Sequence, residues 1–192
     1  MAGDINNADW KQSYVLSGRA FMLQFGEEDA PVTSTGSIDD QLAMATVDVP
    51  AGTTIIPLWG QGIVGTWTTG TLINYMIEVD NAKVRRSSGG SAFTPLCLRT
   101  DLKNGTGSAG VSGCTVYVAG ASDIVAAAKT SGGSLEVYRE SLEVNVGDAA
   151  DYWPKMEYNP VISPVVVGPA SVLVHFGAAT ADITVYGNLV WA

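Results

Sequence analysis

Only one side chain in this sequence titrates near neutral pH without help from its surroundings: His175, in "VLVHFG". A serine or cysteine nucleophile would need it as base, and no G-x-S-x-G elbow is present to pair with it. Zinc would need further ligands at short metal-binding spacings. Cys97 and Cys114, the only cysteines, stand far from each other and from His175 in the chain. His175 is therefore expected as a strand histidine, at a subunit contact or open to water. Carboxylates are more plentiful. Glu136 and Glu140 share a strand parity, and Glu143 takes the other if the strand is unbroken. Glycoside hydrolysis would need two carboxyls about 5 to 10 Å apart in a cleft, one of them with a raised pKa. A solvated sheet face accounts for these three glutamates without chemistry. The loop "DLKNGTG" (101–107) offers oxygen ligands but lacks the twelve-residue spacing of a calcium loop. It reads as a hairpin loop with Asn104-Gly105 at the corner. Asn104-Gly105-Thr106 also matches an N-glycosylation acceptor, read here as a chance match. No catalytic residue, no metal site and no cofactor is expected.

Binding chemistry has better raw material. "DNAKVRRSSGGSAF" (80–93) concentrates Lys83, Arg85 and Arg86 ahead of a Ser/Gly loop. Arg85 and Arg86 are candidate contacts to acidic surface on a neighbouring subunit, against the plain alternative of an exposed, solvated loop. Five tryptophans (Trp10, Trp59, Trp67, Trp153 and Trp191) invite comparison with a sugar-stacking platform. "DYWPKMEY" (151–158) gathers Tyr152, Trp153 and Tyr158 around a proline, which suits carbohydrate or a protein partner. Aromatic residues are enriched in subunit interfaces, so Trp10, Tyr152, Trp153 and Tyr158 join the two arginines as candidate subunit contacts.

Composition narrows the partners. The chain has 192 residues, 46% hydrophobic and 15% charged, with a net charge of −9. Residues 1–50 carry two basic and eight acidic side chains, a local net of −6; the remainder nets −3. Such a chain is repelled by phosphate backbones, whose binding rests on Lys and Arg displacing counterions, so no direct nucleic-acid contact is expected. No run of about 18 apolar residues suggests a membrane helix. Residues 1–25 show no basic stretch leading into an apolar core, so no secretory signal is expected. In a reducing cytoplasm the two cysteines would be buried thiols, with a disulfide the minor alternative.

The elements that must position these side chains are strands. "TLINYMIEV" (71–79) alternates so that Ile73, Tyr75, Ile77 and Val79 share one face. "YVLSGRAFMLQF" (14–25), the segment 42–49, "CTVYVAG" (114–120), "SLEVYRESLEVNV" (134–146), "ASVLVHFGA" (170–178) and "DITVYGNLVWA" (182–192) repeat the pattern. In the last, Ile183, Val185, Leu189 and Trp191 share a side, with Gly187 as a bulge or close-approach point. Only "SDIVAAAKTSGG" (122–133) reads as a helical turn or two, from its possible cap, its alanines and its glycine stop. Residues 1–12 read as a loose arm and 13–192 as a single domain. The fold class expected is all-β: a jelly-roll-like sandwich or barrel with one short helix.

"VDVPAGTTIIPL" (47–58) breaks an apolar run with two prolines. Pro50 suits the turn after a strand, and Pro57 suits a bulge, an edge, or a bend where a strand changes sheets. Together with the closing "DITVYGNLVWA", this stretch resembles small β-rich virion proteins of tailed bacteriophages. The two pieces cover about a quarter of the chain and are structural motifs, so no residue role transfers. The resemblance implies a jelly-roll capsid decoration or cement protein, made in the host cytoplasm and seated on the capsid outer surface. It also implies a homotrimer whose partner is a major capsid protein. The alternatives are a receptor- or carbohydrate-binding head domain of a tail fibre, and a shell-forming coat protein.

Overall fold

Strands dominate because the alternating segments can bury one face only against another sheet. The computed structural model describes residues 10–34, 36–68, 71–99, 112–120, 123–144, 153–179 and 182–192. In chain order these form helix α1 (Trp10–Leu16) and strands β1 (Phe21–Phe25), β2 (Val32–Ser34), β3 (Leu42–Ala43), β4 (Ala45–Val49), β5 (Thr54–Ile55) and β6 (Pro57–Thr66). Next come β7 (Thr71–Asp80), β8 (Arg86–Ser88), β9 (Ser91–Phe93), β10 (Leu96–Cys97), β11 (Thr115–Val118) and β12 (Ile124–Ala126). The chain closes with β13 (Ser134–Val144), β14 (Lys155–Tyr158), β15 (Val166–Val167), β16 (Ala170–Ala178) and β17 (Ile183–Trp191).

One six-stranded sheet runs β10-β1-β17-β6-β14, with β2 continuing the line of β1 along β17. The second runs β13-β7-β16-β4-β11-β9, and neither closes on itself. Their inner faces share one core, so the fold is an all-β sandwich. Phe176 of β16 stacks on Tyr75 of β7 at 4.7 Å between ring centres and meets Phe25 of the opposite sheet at 6.1 Å. Glycine makes room for these rings: a β-carbon on Gly62 would fall inside the ring of Phe176. One on Gly187, the partner of Gly62 across the ladder, would sit 2.8 Å from Phe25 Cζ. Along one side the sandwich is tied shut by Tyr138 of β13, whose ring meets Tyr158 of β14 at 5.4 Å and whose hydroxyl oxygen lies 2.9 Å from the Glu157 carbonyl.

The predicted inward set on β7 (Ile73, Tyr75, Ile77, Val79) and on β17 (Ile183, Val185, Leu189, Trp191) is buried. Both prolines lie where the ladder can spare their donors. After β4, Thr53 N donates to the Pro50 carbonyl at 3.1 Å across a tight turn whose third residue, Gly52, has φ +83°. At Pro57 the chain changes sheets, from β5, which pairs only with β15, into β6, and the ladder with β17 shifts register there.

Two local expectations need correction. The arm read over 1–12 and the strand read from Tyr14 overlap a helix, α1. Gly18, with φ +72°, ends it: Gly18 N donates to Val15 O at 3.0 Å and Arg19 N to Tyr14 O at 2.9 Å. The helix lays Tyr14 and Val15 on a small outer cluster of Ala20, Leu58 and Val190. The helix read over 122–133 is absent among its described residues, and β12 stands there instead. Ile124 and Ala126 are buried with Val125 exposed between them, and β12 joins β3 and β8 in a third sheet. Alanine's helical propensity is small beside the burial and ladder bonds that a strand gains there.

Candidate interaction surface

Of the residues considered for chemistry or contact, His175 and Arg85 meet on the outer face of the second sheet, and both are buried. That face carries Thr46 and Asp48 on β4, Glu78 and Asp80 on β7, and Ser171 and His175 on β16, all buried. Arg85, fully buried, reaches across them. Its Nη1 is 2.6 Å from Glu78 Oε1, Nη2 donates to Asp40 O at 2.6 Å, and Nε donates to Ala127 O at 2.9 Å. Asp80 accepts from the backbone N–H groups of Ala82 and Thr130 at 3.0 and 3.2 Å. Ser134 Oγ donates to Glu78 Oε1, and Lys129 Nζ lies 3.4 Å from Glu78 Oε2. These bonds fasten the third sheet and its flanking loops over the charged face. A buried ion pair of this kind is costly to break even where its net contribution to stability is small.

His175 belongs to the same network. Its Nδ1 donates to the Leu42 carbonyl at 2.8 Å, while Nε2 faces Glu78 Oε2 at 3.7 Å without a hydrogen bond. Burial holds its pKa below the ordinary 6.5, partly offset by the Leu42 bond and the Glu78 charge. The expectation of a histidine at a subunit contact or open to water is overturned: it is 0% exposed within the single chain. Asp48, buried on the same face opposite Ser171, has its pKa raised by desolvation against the hydrogen bonds from Thr46 and Ser171.

Arg85 is thus no surface contact. Arg86 is half-buried, with its guanidinium 3.4 Å above the Tyr117 ring and two N–H groups on the Gly89 carbonyl. The two arginines of the basic run bond inside the chain, Arg85 to the charged sheet face that β12 and its loops cover. Tyr158 is also internal, packed against Tyr138. Tyr152 lies outside the described residues, as does the 101–107 loop. Trp10 and Trp153, read as candidate subunit contacts, are exposed. The shared parity of Glu136 and Glu140 fails for a physical reason: β13 bulges at Val137, so Glu136 pairs opposite Glu78 and Glu140 opposite Tyr75, on opposite faces. Glu136 holds Arg139 at 2.7 Å on the outside, and Glu140 accepts from Tyr138 and the Glu157 N–H.

No disulfide joins Cys97 and Cys114. Cys97 lies in the first sheet, and Cys114 just precedes β11 of the second. Burial, with Asp48 nearby, pushes the Cys114 thiol up to about 12, which keeps it from being a thiolate nucleophile at neutral pH. Among the described residues no group of His, Cys, Asp or Glu is arranged to hold a metal ion, and no helix is long and apolar enough to cross a membrane.

What the surface does offer is apolar. Between Asn159 and β15 the chain runs "PVISPV", and Val161 and Ile162 are 90% and 88% exposed, with Val165 and Val167 also standing out. Pro160 and Pro164 bracket the tip and restrict its backbone. Sequence reading passed over this loop, because valine and isoleucine between prolines carry no local sign of whether they face a core or water. At the open edge of the sandwich, a cavity of about 830 Å³ lies between the loop after β1 and strands β9 to β11. Pro31, Val32, Phe93, Leu96 and Val118 line it, with Gln24 and Glu27 at its polar margin. Comparisons of the chain with protein-family models, curated proteins and solved structures found no match.

Proposed function

We propose that this chain is a non-enzymatic structural protein of a virion, working as a decoration or cement subunit that binds copies of itself and a neighbouring shell protein. The observation that carries this reading is the projecting loop with Val161 and Ile162 almost wholly in water. Two aliphatic side chains at a proline-stiffened tip cost stability to expose and gain it when buried against a partner, about 1.5–3 kcal/mol each. Contiguous exposed apolar surface of this kind marks interaction sites in folded proteins. Three further features support the reading. The buried titratable residues Glu78, Asp80, Arg85 and His175 are engaged with one another and with backbone groups. The resemblance of 47–58 and 182–192 to phage virion proteins supplies the setting. The apolar cavity at the sandwich edge offers a second surface for a neighbouring subunit.

The test is co-sedimentation of the purified chain with empty head shells of the virus that encodes it, alongside its mass in solution by light scattering. We expect retention on shells and a closed oligomer, with a trimer the expected number. The double substitution Val161→Ser, Ile162→Ser should lower retention at least about tenfold, as loss of two buried aliphatic anchors requires. Full retention by the double variant would overturn the loop's role. A purified chain that closes into particles unaided would instead make it the coat protein.

A further inference from the structure

The outer face of the first sheet carries a second kind of surface, built from four strands far apart in sequence. Register puts Glu157 of β14 opposite Gln61 of β6, Gln61 opposite Asn188 of β17, and Asn188 opposite Gln24 of β1. All four alternate with buried inward residues, so they form one continuous outward row of three amides and a carboxylate. At about 4.8 Å per strand the row spans roughly 14 Å. On one side of it lies Trp59, whose indole N–H donates to Glu157 Oε1 at 2.8 Å. On the other lie Tyr186 and Trp153, edge to face at 6.4 Å between ring centres. Trp153 is 48% exposed, and its ring rests beside Gly65, where a β-carbon would already be in contact at 3.8 Å. At the centre of the row, Asn188 Oδ1 is buried and makes no hydrogen bond to any described residue.

From this arrangement we infer that the face binds a neutral oligosaccharide, laid along the amide row with its sugar rings against Trp153 and Tyr186. The chemistry fits that class in two ways. Side-chain amides both donate and accept, as vicinal hydroxyls do, and a row of them at strand spacing can meet a run of hydroxyls. Sugar rings present C–H faces to which the electron-rich face of an aromatic ring is complementary. Charge selects against acidic glycans. Glu157 is the one anion of the row, and hydrogen bonds from Trp59 and Lys155 hold its carboxyl below the ordinary range; Lys155 Nζ is 3.2 Å away. The cations beside the row, Lys155 and Lys11, both act on Glu157, and the chain's net charge of −9 opposes an acidic sugar. This binding site is separate from the assembly loop and does not depend on it.

The experiment titrates the full-length chain with gluco-, manno-, xylo- and chito-hexaoses, and with a sialylated and a sulfated oligosaccharide, reading tryptophan fluorescence and heat. At least one neutral hexaose should bind with a fluorescence change. Trp153→Ala and Asn188→Ala should each weaken it about tenfold, and Trp153→Phe should keep most of it, since the ring face survives. Thermal midpoints of Trp153→Ala and Trp153→Phe are measured alongside, so that a folding defect is recognised and Gln61→Ala replaces a defective variant. Val161→Ser with Ile162→Ser should leave sugar binding unchanged, which separates this inference from the assembly reading. It would be overturned by no binding of any neutral hexaose, by binding of the acidic sugars only, or by binding that ignores both Trp153→Ala and Asn188→Ala. Conversion of an oligomer into a monomer by Trp153→Ala would assign the face to a second copy of the chain and overturn it as well.

Discussion

At the scale of single residues, the second sheet's outer face sets two expectations. Arg85→Ala would leave Glu78 and Asp80 buried without their guanidinium and strand the carbonyls of Asp40 and Ala127. Its cost should be about 3–5 kcal/mol in urea unfolding, whereas pairing Arg85→Met with Glu78→Gln should restore part of it. His175 sets the second. Burial lowers its folded pKa below the unfolded 6.5, so the unfolded chain binds a proton first as pH falls. That contribution to stability is complete above about pH 6.5 and is lost on acidification toward the lower folded pKa. The thermal midpoint should therefore drop between neutral pH and about pH 5, and His175→Gln should flatten the drop. Asp48 works in the opposite sense, since its raised folded pKa favours the acid side above 3.8. The difference between wild type and the histidine variant isolates His175 from it.

At the scale of elements, small residues decide how the sheets meet. Gly62 and Gly187 face each other on β6 and β17, and the rings of Phe25 and Phe176 occupy the space above them. Gly62→Ala places a methyl group in the Phe176 ring, so we expect a loss of about 1–3 kcal/mol by denaturant unfolding. Adding Phe176→Leu should recover part of it by making room. An Ala at exposed Gly120, where nothing lies within 4 Å of a β-carbon, is the neutral control. The helix–strand exchange at 124–126 belongs to this scale too. Residues with helical propensity became a strand because β3 and β8 offered ladder partners and the charged face needed a cover.

At the scale of the whole molecule, the charges and the apolar surface part company. Arg85 and Arg86 are engaged inside the chain, so association should not depend on them as a basic patch. If Val161 and Ile162 carry assembly, raising salt from about 0.05 to about 1 M should leave association unchanged or strengthen it, because screening removes the mutual repulsion of −9 chains. Sedimentation across that series checks this, and a loss of association with salt would point back to ion pairs between subunits. Much of the fold was legible beforehand: the long strands, the turn at Pro50 and the break at Pro57 all follow from local chemistry. The candidate surfaces were less so. Trp153 was visible as an aromatic near a proline, but nothing local marked Gln24, Gln61 and Asn188 as neighbours.

The amino-acid order by itself determined which residues of β7 and β17 would face the core, because unbroken period-two alternation is a local property. It also determined the net negative charge that disfavours nucleic acid. Only the tertiary structure decided that Glu78, Arg85 and His175 would be buried together, that a bulge at Val137 would divide Glu136 from Glu140, and that four strands would align one polar row. Those outcomes depend on register between segments distant in the chain, and a shift of one residue would reverse every side chain involved.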